Sequence, residues 1–303
     1  MRKILLASTA LVAMGSASAM AADVTISGSY ETLYSMVDDD GVTTDTDSLS
    51  SSNDLDFSFS DTTDSGMTMS YSTGFSSGAQ DDSTLTISAD MGTIRITNAD
   101  DDAVEGLDVD VDGYTAEEGR TTTPTYGGGF SATAGSSVSY TLPSMMDGLT
   151  VAVAMSDGTG DAKAVGYGLS YTGTSGDMSF TIAAASSTSD NGTAEDDASH
   201  YGVSVTAGAI TIGAEINSVD RSDDTANNES TGFGLSYVVS DALTVGGYTR
   251  TAETGTANQK FEETAIGAVY TIATGLSASV TSTTSSIDTT GDSRVVLGLN
   301  ASF

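Results

Sequence analysis

Beyond residue 22 the chain alternates apolar and polar residues with a period of two. The first run places Val24, Ile26, Tyr30, Tyr34 and Met36 on one face and Thr25, Ser27, Ser29, Glu31 and Ser35 on the other. A strand projects successive side chains to opposite faces, so this pattern predicts strands with one apolar and one polar side. Further runs include Leu55, Phe57, Phe59; Leu85, Ile87, Ala89; Val151, Val153, Met155; Val203, Val205; Phe233, Leu235, Tyr237; and Val295, Leu297, Leu299, Ala301, Phe303. About sixteen such runs follow one another, with no helical periodicity among them. The expectation is an all-β chain whose strands form one antiparallel sheet.

The gaps between runs sort by length. Long gaps (Asp38 to Asn53, Ser76 to Asp82, Asn98 to Gly135, Ser156 to Lys163, Ser186 to Ser199, Ser218 to Glu229, Thr251 to Phe261, Thr283 to Asp292) alternate strictly with short ones. Several short gaps share a small residue and Gly before a strand that starts with Leu or Met: Ser65-Gly66-Met67, Asp147-Gly148-Leu149, Thr274-Gly275-Leu276. Glycine there supplies the positive φ that tight hairpins require. Long and short connections on opposite ends, with an even strand count, are the marks of a transmembrane barrel that has external loops and short periplasmic turns. In lipid every backbone group must be paired, so a spanning sheet has to close on itself. A single barrel domain over residues 23–303 is expected, its apolar face toward lipid and its Ser-, Thr- and Gly-rich face toward water.

Composition narrows the function. The 303 residues carry 42 acids against 9 Lys and Arg, a net charge of −33, which leaves no basic face for nucleic acid. With no Cys and a single His, thiolate chemistry, disulfides and His-rich metal sites are excluded. Most of the acids fall in the long gaps, and the apolar faces of the runs hold almost none. Met1 to Ala22 reads as a signal peptide: Arg2 and Lys3, an apolar stretch from Ile4 to Met14, then small residues from Gly15. No later segment is apolar for the roughly twenty residues of a membrane helix.

Phe303, with apolar residues alternating back from it to Val295, is similar to the C-terminal recognition strand of bacterial outer-membrane proteins. The whole chain resembles the alphaproteobacterial general porins. The likeness is carried by Met1 to Ser29, ending Ala22-Asp23-Val24-Thr25-Ile26-Ser27-Gly28-Ser29, by Gly92-Thr93-Ile94-Arg95-Ile96-Thr97-Asn98-Ala99-Asp100-Asp101, and by the Phe303 terminus. The resemblance implies a sixteen-stranded outer-membrane channel of a Gram-negative bacterium, a homotrimer that lets small hydrophilic solutes diffuse. It also implies that the third long loop folds into the barrel, its carboxylates facing arginines on the wall. Here the third gap, about 98–135, is the longest and contains Asp100, Asp101, Asp102, Glu105 and Asp108. It either enters the barrel or stays a solvated external loop. Strand parity puts Arg95, Arg250 and Arg294 on the lumen face, with Asp56 on the second strand. So few bases among so many acids predict a negative constriction and a preference for cations.

Several motifs compete with that reading. Asp108-Val109-Asp110-Val111-Asp112-Gly113 opens like a calcium loop, but Glu117 and Glu118 fall at positions ten and eleven where the closing Glu belongs at twelve. These residues either hold a Ca2+ ion or form a plain acidic loop. Gly74-Phe75-Ser76-Ser77-Gly78 matches a nucleophile elbow, which needs a strand-to-helix turn and a base. His200, beside an external loop, reads as a surface polar residue and offers no base, so no enzyme activity is expected. Tyr34, Tyr71, Tyr140, Tyr171, Tyr237 and Tyr270 at strand ends read as an interfacial girdle or as ordinary strand packing. The alternative to a channel is a secreted acidic β-rich adhesive or structural protein that binds calcium through its loops.

Overall fold

The computed structural model describes residues 23–39, 46–76, 78–98, 103–111, 114–115, 136–157, 163–190, 195–222, 227–254, 259–287 and 290–303; residues 1–22, read above as a signal peptide, lie outside them. Sixteen strands follow in order: β1 (Asp23–Asp39), β2 (Thr46–Thr62), β3 (Thr68–Ser76), β4 (Ala79–Ala89), β5 (Gly92–Thr97), β6 (Ser137–Thr141), β7 (Leu149–Asp157), β8 (Lys163–Ser175), β9 (Met178–Asp190), β10 (Glu195–Ala207), β11 (Ile210–Arg221), β12 (Asn228–Ser240), β13 (Leu243–Thr254), β14 (Gln259–Ala273), β15 (Leu276–Ile287) and β16 (Thr290–Ser302). Each pairs antiparallel with its neighbour in sequence, and β1 pairs with β16, so the sheet is a closed barrel. Each alternating run of the sequence corresponds to one strand.

Closure is completed by the last residue. Gly28 N–H donates to the Phe303 carbonyl at 2.9 Å, and Phe303 N–H returns a bond to the Gly28 carbonyl at 3.0 Å. A Cβ on Gly28 would lie 2.8 Å from the Phe303 ring, so the glycine makes room for the terminal aromatic. The three glycine turns read from the sequence all adopt positive φ, at 82° for Gly66, 80° for Gly148 and 75° for Gly275.

The barrel turns the usual burial rule inside out. Its outward side chains are the large apolar ones, with Ile266 68% and Leu235 47% exposed; in a bilayer this surface meets lipid rather than water. Tyr34, Tyr71, Tyr237 and Tyr270 belong to this exposed surface. The buried apolar clusters instead lie where the connection between β5 and β6 meets the wall. One contains Val104, Leu107, Ala152, Ala154 and Ala185; the other contains Val111, Tyr248 and Ala265 with Tyr114 packed on it.

The connections depart from the expected strict alternation of long and short. The strands run well past the apolar runs: β2 starts at Thr46, and β9 and β10 extend to Asp190 and back from Glu195. The external connections β3–β4 and β15–β16 therefore shrink to 77–78 and 288–289, while the turn between β6 and β7 spans 142–148. The reason is that ladder hydrogen bonds are made by the backbone. Ser-, Thr- and Asp-rich segments continue the sheet where no apolar residue marks them. The β5–β6 connection remains long.

Candidate functional site

From β5 the chain turns inward. Residues 103–111 and 114–115 run along the inner wall, with a short 3-10 turn at Glu105–Leu107. The wall receives them through missing side chains. Val104 and Leu107 pack over Gly168 of β8, where a Cβ would come within 3.1 and 3.3 Å of them. Val109 covers Gly202 of β10 and Val111 covers Gly232 of β12, each at 2.6 Å from the position of a Cβ. Tyr114 lies over Gly213, Gly234 and Gly246 on β11, β12 and β13, and Thr115 reaches Gly267 of β14. The alternating valines turn one face of the segment to the wall. The intervening Asp108 is half-buried and Asp110 is 46% exposed.

Polar contacts pin the same segment. Val109 N–H donates to Nε2 of His200 at 3.1 Å, while His200 Nδ1 lies 2.6 Å from Oδ1 of Asn217. Since Nε2 accepts, the ring is neutral with its proton on Nδ1, which donates to Asn217. His200 is 1% exposed, which corrects the sequence reading of a surface residue: its strand parity is inward, and the chain that covers it comes from 91 residues away. Arg250 of β13 is also buried. Its Nη2 donates to Oε1 of Glu215 at 2.7 Å and reaches Oδ1 of Asp110 at 3.5 Å. Next to it, Tyr248 Oη donates to Oε1 of the buried Glu263 at 2.8 Å.

Of the residues singled out from the sequence, Arg250 meets a loop carboxylate and lies behind the loop. Arg95 sits on β5 between Thr86 and Ser139, and Arg294 on β16 donates from Nε to Ser35 Oγ at 2.8 Å. The three arginines occupy separate parts of the wall. Asp100, Asp101, Asp102, Asp112, Glu117 and Glu118 lie outside the described residues, as does the side chain of Glu105. Among the described residues no three His, Cys, Asp or Glu are grouped to hold a metal ion. Ser76, of the elbow-like motif, ends a strand that pairs directly into β4, so the next described element is a strand and the strand-to-helix turn of an elbow is not formed there.

On the wall that the described loop segment leaves uncovered, carboxylates gather. Asp54 accepts from Ser29 Oγ at 3.0 Å. The carboxylates of Asp56 and Asp82 flank Gly74, 3.1 and 2.8 Å from where its Cβ would be. Separately, at the external ends of β1, β14, β15 and β16, a cavity of about 370 Å³ lies mainly on the outward strand faces, lined by Asp38 and Glu262 with hydroxyl residues and bordered by Glu263 and Asp292. Glu215, Asn217, Glu263, Tyr114 and the inward role of His200 escaped the sequence reading. The wall residues among them share strand parity with the polar face, and nothing local distinguishes a water-lined position from one roofed by a distant loop.

Comparison with known proteins agrees with this architecture. Among solved structures, the barrel matches an anion-selective porin from Comamonas acidovorans at a TM-score of 0.70, with 14% identity over 93% of this chain and 100% of that one. It matches the loop L8 deletion mutant of OmpT, an outer-membrane protein of Vibrio cholerae, at 0.65, with 16% identity over 93% and 99%. A mutant of the Rh. blastica porin matches at 0.64, with 17% identity over 93% and 100%. At such identities the likeness carries the fold. No curated protein matches the sequence. The Gram-negative porin profile, however, matches residues 7–290. With that match over most of its length, the chain belongs to the Gram-negative porin family, the channels of the outer membrane.

Proposed function

We propose that this porin passes small hydrophilic solutes and favours cations, with residues 98–135 narrowing the lumen. The observation that carries the charge preference is the pairing of Arg250. This arginine, which meets the loop at Asp110, is buried with Glu215, so its charge is compensated before it reaches the lumen. The lumen-facing Asp54, Asp56 and Asp82 on the opposite wall then set the sign. A water-filled passage lined by one sign of charge concentrates the opposite ion. The fold leaves this open, since a porin of the same architecture from Comamonas acidovorans is anion-selective. The test is the zero-current potential of the purified protein in a planar bilayer under a KCl gradient. A potential of the sign set by K+ permeation supports the reading, and a Cl−-directed potential overturns it.

Resemblance to trimeric porins supports a homotrimer, checked by whether unboiled protein migrates as an oligomer on a detergent gel and collapses on boiling. The charged, apolar and small-residue order of Met1 to Ala22 supports cleavage on export. Intact-mass measurement of the outer-membrane form would then find a chain beginning near Asp23.

A further inference from the structure

Within the inner wall one seat differs from the rest. Val104, Val109 and Val111 each lie over one glycine, but Tyr114 is received by three on successive strands. Gly213 and Gly234 are direct register partners. A Cβ on Gly234 would clash with the Tyr114 ring edge, one on Gly213 with its hydroxyl oxygen, and one on Gly246 with its carbonyl oxygen. The ring edge is completed by Tyr114 Oη and Ser204 Oγ, 3.4 Å apart. The seat lies beside the buried Tyr248, Val111 and Ala265. An aromatic ring lying on bare backbone is a short-range, rigid contact that no longer side chain on the wall could imitate. Glycine in a strand interior weakens the strand, and such positions mark places where something must approach the backbone closely.

We infer that Tyr114 is a positioning residue of the constriction. Its side chain against Gly213 and Gly234, with its carbonyl against Gly246, holds the loop to the wall and so sets the size limit of the channel. The inference rests on the reading of residues 98–135 as the constriction, and it makes size selection separable from charge selection. The loop is held against β11 and β12 by a neutral ring, whereas the charges proposed to choose the ion lie on β2 and β4. Removing the ring frees the loop next to the seat to move toward the lumen axis and back, so the aperture fluctuates and larger solutes pass.

The experiment is proteoliposome swelling with a monosaccharide and a trisaccharide, alongside single-channel recording, on the full-length protein and on Tyr114→Ala, Tyr114→Phe, Gly234→Ala and the Tyr114→Ala/Gly234→Ala double variant. Heat-sensitive mobility on a detergent gel verifies that each barrel has folded. The expected result is a several-fold rise in the trisaccharide-to-monosaccharide rate and noisier open currents for Tyr114→Ala and for Gly234→Ala, with unchanged ion preference. Tyr114→Phe restores the wild-type ratio because it keeps the ring. The double variant shows no further rise over Tyr114→Ala, since both changes empty the same seat. A folded Tyr114→Ala protein with wild-type rates and quiet currents overturns the inference, and so does additivity in the double variant. If Gly234→Ala does not fold, the comparison of Tyr114→Ala with Tyr114→Phe decides, because Tyr114 lies on the loop and outside the strand ladder. A wild-type protein that conducts nothing would instead overturn the channel reading, and it is measured first.

Discussion

His200 shows how far a single side chain's role depends on what covers it. As a neutral ring it accepts from Val109 N–H and donates to Asn217, so both nitrogens are used and neither faces water. Replacing it by Leu strands a buried N–H and a buried amide, at a cost of about 1–3 kcal/mol. His200→Leu should lower the stability of the folded barrel by that amount in urea unfolding while leaving oligomer formation intact, and an unchanged midpoint would mean that water replaces the ring. Arg250 is a stronger case. Arg250→Met leaves Glu215 buried without its cation, and removing one partner of a buried pair costs about 3–5 kcal/mol. Adding Glu215→Gln to Arg250→Met should recover most of that loss in the same unfolding measurement. If the double variant is no more stable than Arg250→Met, the pair is not the source of the effect.

Strands carry their instructions in alternation, and the two faces obey opposite rules. Ile266 lies at the middle of β14 and points outward, 68% exposed. Ile266→Arg places a charge in the lipid and should cost about 2–4 kcal/mol, seen as reduced barrel yield and a lower unfolding midpoint in lipid vesicles. Ser58→Lys on the inward face of β2 should fold with wild-type yield, since that side meets water; equal losses for both would refute the assignment of faces. The same alternation explains why the strands are legible in the sequence and their ends are not. Apolar residues mark the membrane-spanning part, while hydroxyl-bearing positions beyond it carry no mark. Ser48, Ser50 and Ser52 of β2 are of this kind, yet they pair with β1 in full register.

For the whole molecule, net charge and lumen geometry combine. On the proposed cation-preferring reading, with Arg250 compensated, the preference arises from fixed carboxylates acting through water, which salt screens over about 10 Å at 0.1 M and about 3 Å at 1 M. The cation-to-anion permeability ratio should therefore fall toward unity between those two concentrations, and Asp56→Asn with Asp82→Asn should lower it already at 0.1 M. A ratio that stays constant across this range would indicate close binding of ions within the constriction rather than a general negative potential.

Strand number, the antiparallel order of successive strands, the glycine turns and the terminal strand ending at Phe303 are written in the sequence, while the seat of Phe303 at Gly28 is not. Those legible features depend on contacts between chain neighbours or on a period of two that a stretch of residues displays locally, whereas the β1–β16 seam joins the two ends of the chain. The interior is different, because it exists only once the barrel has assembled around the loop. Gly168, Gly202, Gly213 and Gly234 share a strand face with serines and threonines, and only the arrival of residues 103–111 and 114–115 turns those gaps into seats. Likewise Arg250 is legible as a lumen residue by parity. Its burial against Glu215 and Asp110 depends on a strand 35 residues away and a loop farther still. Alternation tells which way a side chain points, and long-range closure of the chain decides what it finds there.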